Sequence, residues 1–164
     1  MRTEVSNTDD VIDSRDVIGR IEELEEERQD LVDELDSAKE TLSDAVDNTS
    51  VMTMDREEIA ALENAVELAK DALSDWDADN ADELKALKAL ADEAGSSPDW
   101  EYGESLIRDS YFTEYAQQLA DDTGAIDRNA NWPVNCIDWE QAAEQLKADY
   151  FSVDFDGETY WIRA

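Results

Sequence analysis

Residues 17–45 read VIGRIEELEEERQDLVDELDSAKETLSDA. Within them Val17, Ile21, Leu24, Arg28, Leu31, Leu35, Ala38, Leu42 and Ala45 follow one another at alternating steps of four and three. A repeat of ~3.5 residues places the series along one seam of a helix. Arg28 alone interrupts its apolar chemistry, and a cation in a seam either specifies helix register or reaches an acidic partner. Ser14 is the expected N-cap, its hydroxyl accepting from an orphan amide of the first turn. The pattern stops over Asp47–Met54 (DNTSVMTM), and Asp55 with Glu58 then resembles a capping box. A second seam follows through Ile59, Leu62, Val66, Ala69, Leu73 and Trp76. Two seams joined by a short polar turn predict an antiparallel helical hairpin.

Outward from the hairpin, residues 1–13 are polar and expected to fray. Asn80 with Glu83 forms another capping box, predicting a third helix with Leu84, Leu87, Leu90, Ala91 and Ala94. Gly95 and Pro98 end it, and the domain boundary is placed there. Twelve of the thirteen aromatic residues lie at or after Trp100, so the main core is expected in the last third. Trp100–Asp122 reads as helical, broken near Gly103 or Asp109, with Phe112, Tyr115, Ala116 and Leu119 on one face and Gly124 closing it. A loop over Asp127–Cys136 leads to a helix capped by Asp138 and buried through Ala142, Ala143 and Leu146. Asp156-Gly157 then predicts a two-residue type I′ hairpin turn. That turn pairs Phe155 with Glu158, Val153 with Tyr160 and Phe151 with Ile162 on an apolar face. Asp154–Thr159 and Ser152–Trp161 fall on the opposite face, which is expected to meet solvent or a partner while the apolar face packs on the preceding helix. The expected fold class is mostly α with a small α+β part: a frayed segment (1–13), an acidic helical hairpin with a third helix (14–94), and an α+β module (99–164) ending in a β-hairpin (150–163).

The 164 residues include 45 Asp plus Glu, 13 Lys plus Arg and no His, a formal charge of −32. Direct nucleic-acid binding needs clustered cations and is excluded, as is electrostatic attachment to anionic lipid. Histidine catalysis and ligation are absent with the residue. The charge is spread evenly: residues 9–47 carry −12, residues 55–93 carry −9 and residues 96–164 carry −11. This is not an acidic tail. Seams that fold fix the acids onto surfaces. Residues 9–47 as helix span about 58 Å at ~1.5 Å per residue, one net charge per ~5 Å. Two antiparallel helices approach one per ~2–3 Å, against ~1.7 Å for duplex DNA. A rigid array of this density can imitate a phosphate backbone and be steered into a basic cleft. Ordinary helix solvation and high-salt adaptation are the alternatives, the latter suggested by 25 Asp against five Lys.

Enzymatic chemistry is hard to place. Asp121-Asp122 has no second carboxylate cluster anchored to it. Asp75–Asp82 resembles a calcium loop but lacks its glycine at position six and glutamate at twelve. Cys136 has no histidine to activate it and is expected to be buried. Arg108, Arg128 and Arg163 are expected to neutralise nearby carboxylates. No enzyme, cofactor or metal site is expected. No apolar run reaches the length of a signal or of a membrane span, so a cytoplasmic protein is expected.

Two stretches, YFTEYAQQLADDTGAI (111–126) and CIDWEQAAEQLKADYFSVDFDGETYWIR (136–163), resemble the C-terminal part of ArdA-type antirestriction proteins and related phage and plasmid proteins. The matching residues are Asp138-Trp139-Glu140, Leu146, Asp149-Tyr150 and Tyr160-Trp161-Ile162-Arg163. A helical hairpin replaces the upstream α/β modules of that family. The resemblance implies an acidic DNA mimic from a mobile element. Its implied partner is a basic DNA-binding host protein, a restriction-modification or other defence complex, with a homodimer as a further expectation. On the charge argument the partner-binding residues are Glu22, Glu23, Glu26, Asp30, Asp33, Asp36, Glu40, Glu63, Glu67 and Asp71. Trp139 or Trp161 would add contact area, with one of the two expected in the core. The competing reading is a structural or adaptor coiled coil, dimeric through the 17–45 seam, whose acidity serves solubility.

Overall fold

A computed structural model describes residues 4–48, 55–127 and 129–164. Its regular elements are β1 (Val11–Asp13), α1 (Ser14–Asn48), α2 (Arg56–Ala94), β2 (Ser105–Arg108), α3 (Phe112–Asp122), α4 (Trp139–Leu146), β3 (Tyr150–Phe155) and β4 (Glu158–Arg163), with short 3-10 turns between several of them. The protein is mostly α with a small antiparallel sheet, as its periodicities indicate. It divides into two compact units, Ile21–Lys85 and Met1–Arg20 with Ala86–Ala164. The divisions fall inside α1 and α2, not at the expected boundary beside Gly95.

In Ile21–Lys85 the two seams face each other. Leu35, Val66 and Ala69 are buried together, with Ala38, Leu42 and Leu73 packed against them. Arg28 meets Asp77, so numbers rise along one helix as they fall along the other, and the pair is antiparallel. Isolated acidic helices are marginal in water, and burial of such a seam supplies most of their stability. Residues 49–54, which contain most of the expected turn, lie outside the described residues. At the start of α2 the Asp55 carbonyl accepts from the amides of Glu58 and Ile59. The helix start expected at Asn80 does not occur, because α2 runs unbroken to Ala94. Asn80 Nδ2 donates instead to the Trp76 carbonyl one turn back at 3.0 Å. Leu84 and Leu87 are buried and continue in phase with Trp76. The buried stripe outweighs the local cap signal. Asp75–Asp82 is therefore helix, not a calcium loop.

The second unit is built on a four-stranded antiparallel sheet of order β1-β2-β4-β3. Asp156 (φ 49°) and Gly157 (φ 84°) make the hairpin turn. The observed register pairs Phe155 with Glu158, Val153 with Tyr160, Phe151 with Ile162, Asp154 with Thr159 and Ser152 with Trp161, as the turn type dictates. β2 joins through Ile107 opposite Trp161, and β1 through Val11 opposite Ile107. Both short strands correct the sequence reading. Residues 105–108, which read as helical in sequence, form a strand, and the regular structure changes both near Gly103 and at Asp109. Val11–Asp13 lies in the segment expected to fray. Strands of three and four residues offer too few positions for alternation to register. The N-terminal segment is held further by Tyr160, whose hydroxyl donates to the Asp9 carbonyl at 2.6 Å, and by the buried Val5.

Ser14 does not cap α1. It is fully buried, its hydroxyl accepts from the Glu104 amide at 2.8 Å, and its own amide donates to the Glu104 carbonyl. Asp13 takes the capping role, accepting from the Arg15 amide at 2.9 Å. The Arg15 guanidinium also bonds both Asp13 oxygens. This side-chain bond, the largest influence, holds the Asp13 carboxyl below its usual range. At α4 the expected cap is present, with Asp138 accepting from Gln141 at 3.0 Å.

Side chains alternate across a sheet, and here both faces are covered. One carries Ile107, Trp161 and Tyr150 and packs with Phe112, Tyr115, Ala116, Ala143 and Leu146 of α3 and α4. The other carries Ile12, Leu106, Val153, Phe155, Tyr160 and Ile162, all buried. The helices thus cover the face expected to be open. Leu87, Leu90 and Ala94 near the end of α2 are buried as well, and two bonds tie this end of the helix and the turn after it to the hairpin. Glu93 accepts from the Asp154 amide at 3.1 Å, and Ser97 Oγ donates to the Arg163 carbonyl at 2.8 Å. Gly95 follows α2 without a positive φ, its amide still bonding the Ala91 carbonyl, and a Cβ there would lie 2.6 Å from that carbonyl oxygen. Gly95→Ala is therefore expected to lower stability by about 1–3 kcal/mol, the range for overpacking, measurable as a lower urea midpoint at unchanged slope.

Candidate acidic interface

All ten sequence-selected acids fall in Ile21–Lys85. That unit holds 23 acidic and five basic residues, a net of −18. Glu22, Glu26, Asp30, Asp33, Asp36, Glu40, Glu63, Glu67 and Asp71 are exposed, and Glu23 is half-buried. On α1, Glu22, Glu26, Asp30, Asp33 and Glu40 lie on the face opposite Leu35 and Leu42, and Asp36 borders it. On α2, Glu63, Glu67 and Asp71 recur every fourth residue and make one ridge, with neighbours ~6 Å apart along the axis. Part of this charge is compensated locally. Gln29 donates to Asp33 at 2.7 Å, Lys39 lies 3.5 Å from Asp36, and Lys70 bonds Glu67 at 2.7 Å. Such exposed pairs are each worth less than ~1 kcal/mol. Among the described residues no three of His, Cys, Asp and Glu are grouped to hold a metal ion. No helix there is long and apolar enough to cross a membrane.

A polar step adds to the apolar contacts that hold the two ridges against each other. Arg28 reaches across to Asp77 with two bonds of 2.8 and 3.2 Å, and Trp76 Nε1 donates to Glu27 at 3.1 Å. The Asp77 carboxylate raises the Arg28 pKa, chiefly through the side-chain bond. Of the two roles open to Arg28, register is the one its partner supports. Glu27 and Asp77 were missed in the sequence, though laying the seams antiparallel brings residue 28 opposite 76 and 77. Both charged groups are more than a third exposed, so a double-mutant cycle of Arg28→Met and Asp77→Leu is expected to give a coupling below ~1 kcal/mol. The coupling should shrink further in 1 M salt, where the Debye length is ~3 Å.

Trp139 and Trp161 belong to the other unit. Trp139 is half-buried. Trp161 is committed within the chain. Its ring lies 6.1 Å from Phe112, its Nε1 donates to Asp109 at 2.7 Å, and the Lys147 ammonium sits 4.8 Å over its ring. Lys147 also donates to Asp109 at 2.8 Å and to Glu144 at 2.9 Å. The Lys147 bond, then the Trp161 bond, draw the Asp109 carboxyl below its usual range. Burial opposes the Lys147 charge, but the two carboxylates together raise its pKa. No sequence spacing announces this cluster, since Asp109 and Lys147 are 38 residues apart. Arg108 bonds Glu158 at 2.9 and 3.1 Å, the neutralising role expected of it. Arg128 lies outside the described residues. Cys136 is exposed, correcting the buried thiol expected: it lies in a surface turn, and its Sγ is 3.4 Å from Asn135 Oδ1. No family model, curated protein or solved structure matches the chain.

Proposed function

We propose that this protein is an acidic DNA mimic that occupies the DNA-binding site of a host defence protein, in the manner of antirestriction proteins carried by mobile elements. One observation carries the reading: nine exposed carboxylates stand on two helices whose register is held by a buried seam and a cross-helix ion pair. A helical scaffold formed before binding spares the cost of ordering the backbone on association, which favours affinity. The same field steers encounter with a basic cleft. The resemblance of residues 111–163 to ArdA-type proteins supports the same class. The protein acts by binding, in the host cytoplasm, with no cofactor. An adaptor dimerising through the 17–45 seam would have to displace α2, which already covers Leu35, Ala38 and Leu42.

The test is competition. Partners are captured from a host lysate on immobilised protein and challenged with duplex DNA. Displacement by DNA, together with steep loss of binding between 50 and 200 mM salt (on the order of 10³-fold if six or more charges are matched), is the expected result. Retention of the partner at saturating DNA overturns the proposal.

A further inference from the structure

The second unit carries a surface that the mimicry reading does not use. β3 is an edge strand, since the sheet order leaves it paired on one side only. The two-residue turn makes Phe155–Glu158 a hydrogen-bonded pair, and alternation then aims the backbone groups of Phe155, Val153 and Phe151 at β4. Those of Tyr150, Ser152 and Asp154 point away from the sheet. Two of these three outward amides are satisfied within the chain. Tyr150 N–H donates to the Lys147 carbonyl, and Asp154 N–H donates to Glu93 Oε2 at 3.1 Å. Ser152 between them is exposed. Its outward N–H and C=O are where an added strand would bond.

The surroundings select the occupant. Glu93 and Asp154 bring two carboxylates to one end of this edge, and both are bonded to backbone amides. None of the ion pairs among the described residues includes either of them. Phe151, half-buried on the strand, offers apolar surface beside the open position.

We propose that the β3 edge at Ser152 binds an extended, Arg- or Lys-bearing segment of a partner protein by strand addition, with the Ser152 N–H and C=O making the central backbone pair and the segment's cation meeting Asp154 and Glu93. Backbone bonds supply affinity in this mode and side chains supply the choice of partner. Its residues lie outside Ile21–Lys85, so the proposal holds whether or not the carboxylates of that unit mimic DNA.

The probe is a synthetic peptide, acetyl-Thr-Val-Arg-Val-Thr-Val-Arg-amide, with a counterpart carrying Glu in place of both Arg. Titration into the full chain, followed by amide NMR, is expected to shift the Ser152 resonance saturably and slow its hydrogen exchange at least tenfold. The Arg peptide should bind at least tenfold more tightly than the Glu peptide. Ser152→Pro removes the outward donor, a change that edge strands tolerate, and should weaken binding at least tenfold with unchanged circular dichroism. Unslowed exchange at Ser152, equal affinity for the two peptides, or undiminished binding by folded S152P would each overturn the proposal. If S152P does not fold, Ser152 exchange in the unsubstituted protein decides.

Discussion

Replacing Glu22, Glu26, Asp30, Asp33, Asp36 and Glu40 together by their amides is expected to weaken binding to the captured basic partner by at least a hundredfold while leaving the helices intact. All six are exposed on α1, and none lies in the seam. Each counter-charge matched in a DNA-like contact contributes a slope of nearly one to the dependence of log K on log salt. The variant should therefore lose affinity and flatten that slope together. Stability is expected to move the other way. Glu22, Glu26 and Asp30 repeat at four-residue steps, and like charges at that spacing each cost ~0.2–0.5 kcal/mol. Their removal should raise the melting temperature by a few degrees, so weakened binding cannot be assigned to unfolding. Equal affinity with an unaltered salt slope would falsify the mimicry reading. It would leave the acidity of α1 as a solubility device.

Tyr160→Ala is expected to destabilise the sheet unit by about 3–5 kcal/mol, the range for truncating a fully buried aromatic residue. Tyr160 is the largest fully buried side chain among the described residues. Its ring stands 6.2 Å from Phe155, and its hydroxyl bonds the Asp9 carbonyl. Tyr160→Phe removes only that bond and should cost about 1 kcal/mol. The two variants separate packing from tethering of the N-terminal segment, whose amides should exchange faster in Y160F. The pH dependence has a definite sign. Burial, the largest influence, pushes the Tyr160 hydroxyl up to about 12, so the fold favours the neutral form. That contribution is complete below the ordinary tyrosine value of ~10 and is lost as pH rises from there through about 12. Y160F should lose stability less steeply over that interval in chemical denaturation. A residual slope is expected from Tyr150, which burial and the Tyr115 hydroxyl also push upward.

The elements differ in how plainly their residues announce them. The hairpin is the clearest case: Asp156-Gly157 tolerates positive φ at both turn positions and thereby sets the pairing of every residue from Tyr150 to Arg163. The helical seams are nearly as clear, because burial repeats along them. Asn80 misleads for a physical reason. A cap signal is local, costs only about 1 kcal/mol to ignore, and is outweighed when Leu84 and Leu87 remain on the buried stripe. β1 and β2 are invisible because their identity lies in partners far along the chain. Nothing in Val11–Asp13 indicates that Ile107 will lie opposite it. The acidic surface is legible as composition. Its geometry is not, since Arg28 requires Asp77 before it can be read as a register device.

The continuity of α1 and α2 has a consequence for how the chain reaches this structure. Ser14 bonds Glu104 across 90 residues of chain, and β1 pairs with β2 over a similar separation. Were the intervening chain a free coil, closing it would carry an entropy cost that rises with the logarithm of its length. A helical hairpin zipped first would shorten that loop and so lower the cost of bringing β1 to β2. Substitutions that loosen its seam should slow formation of β1–β2 pairing well before they alter the finished fold.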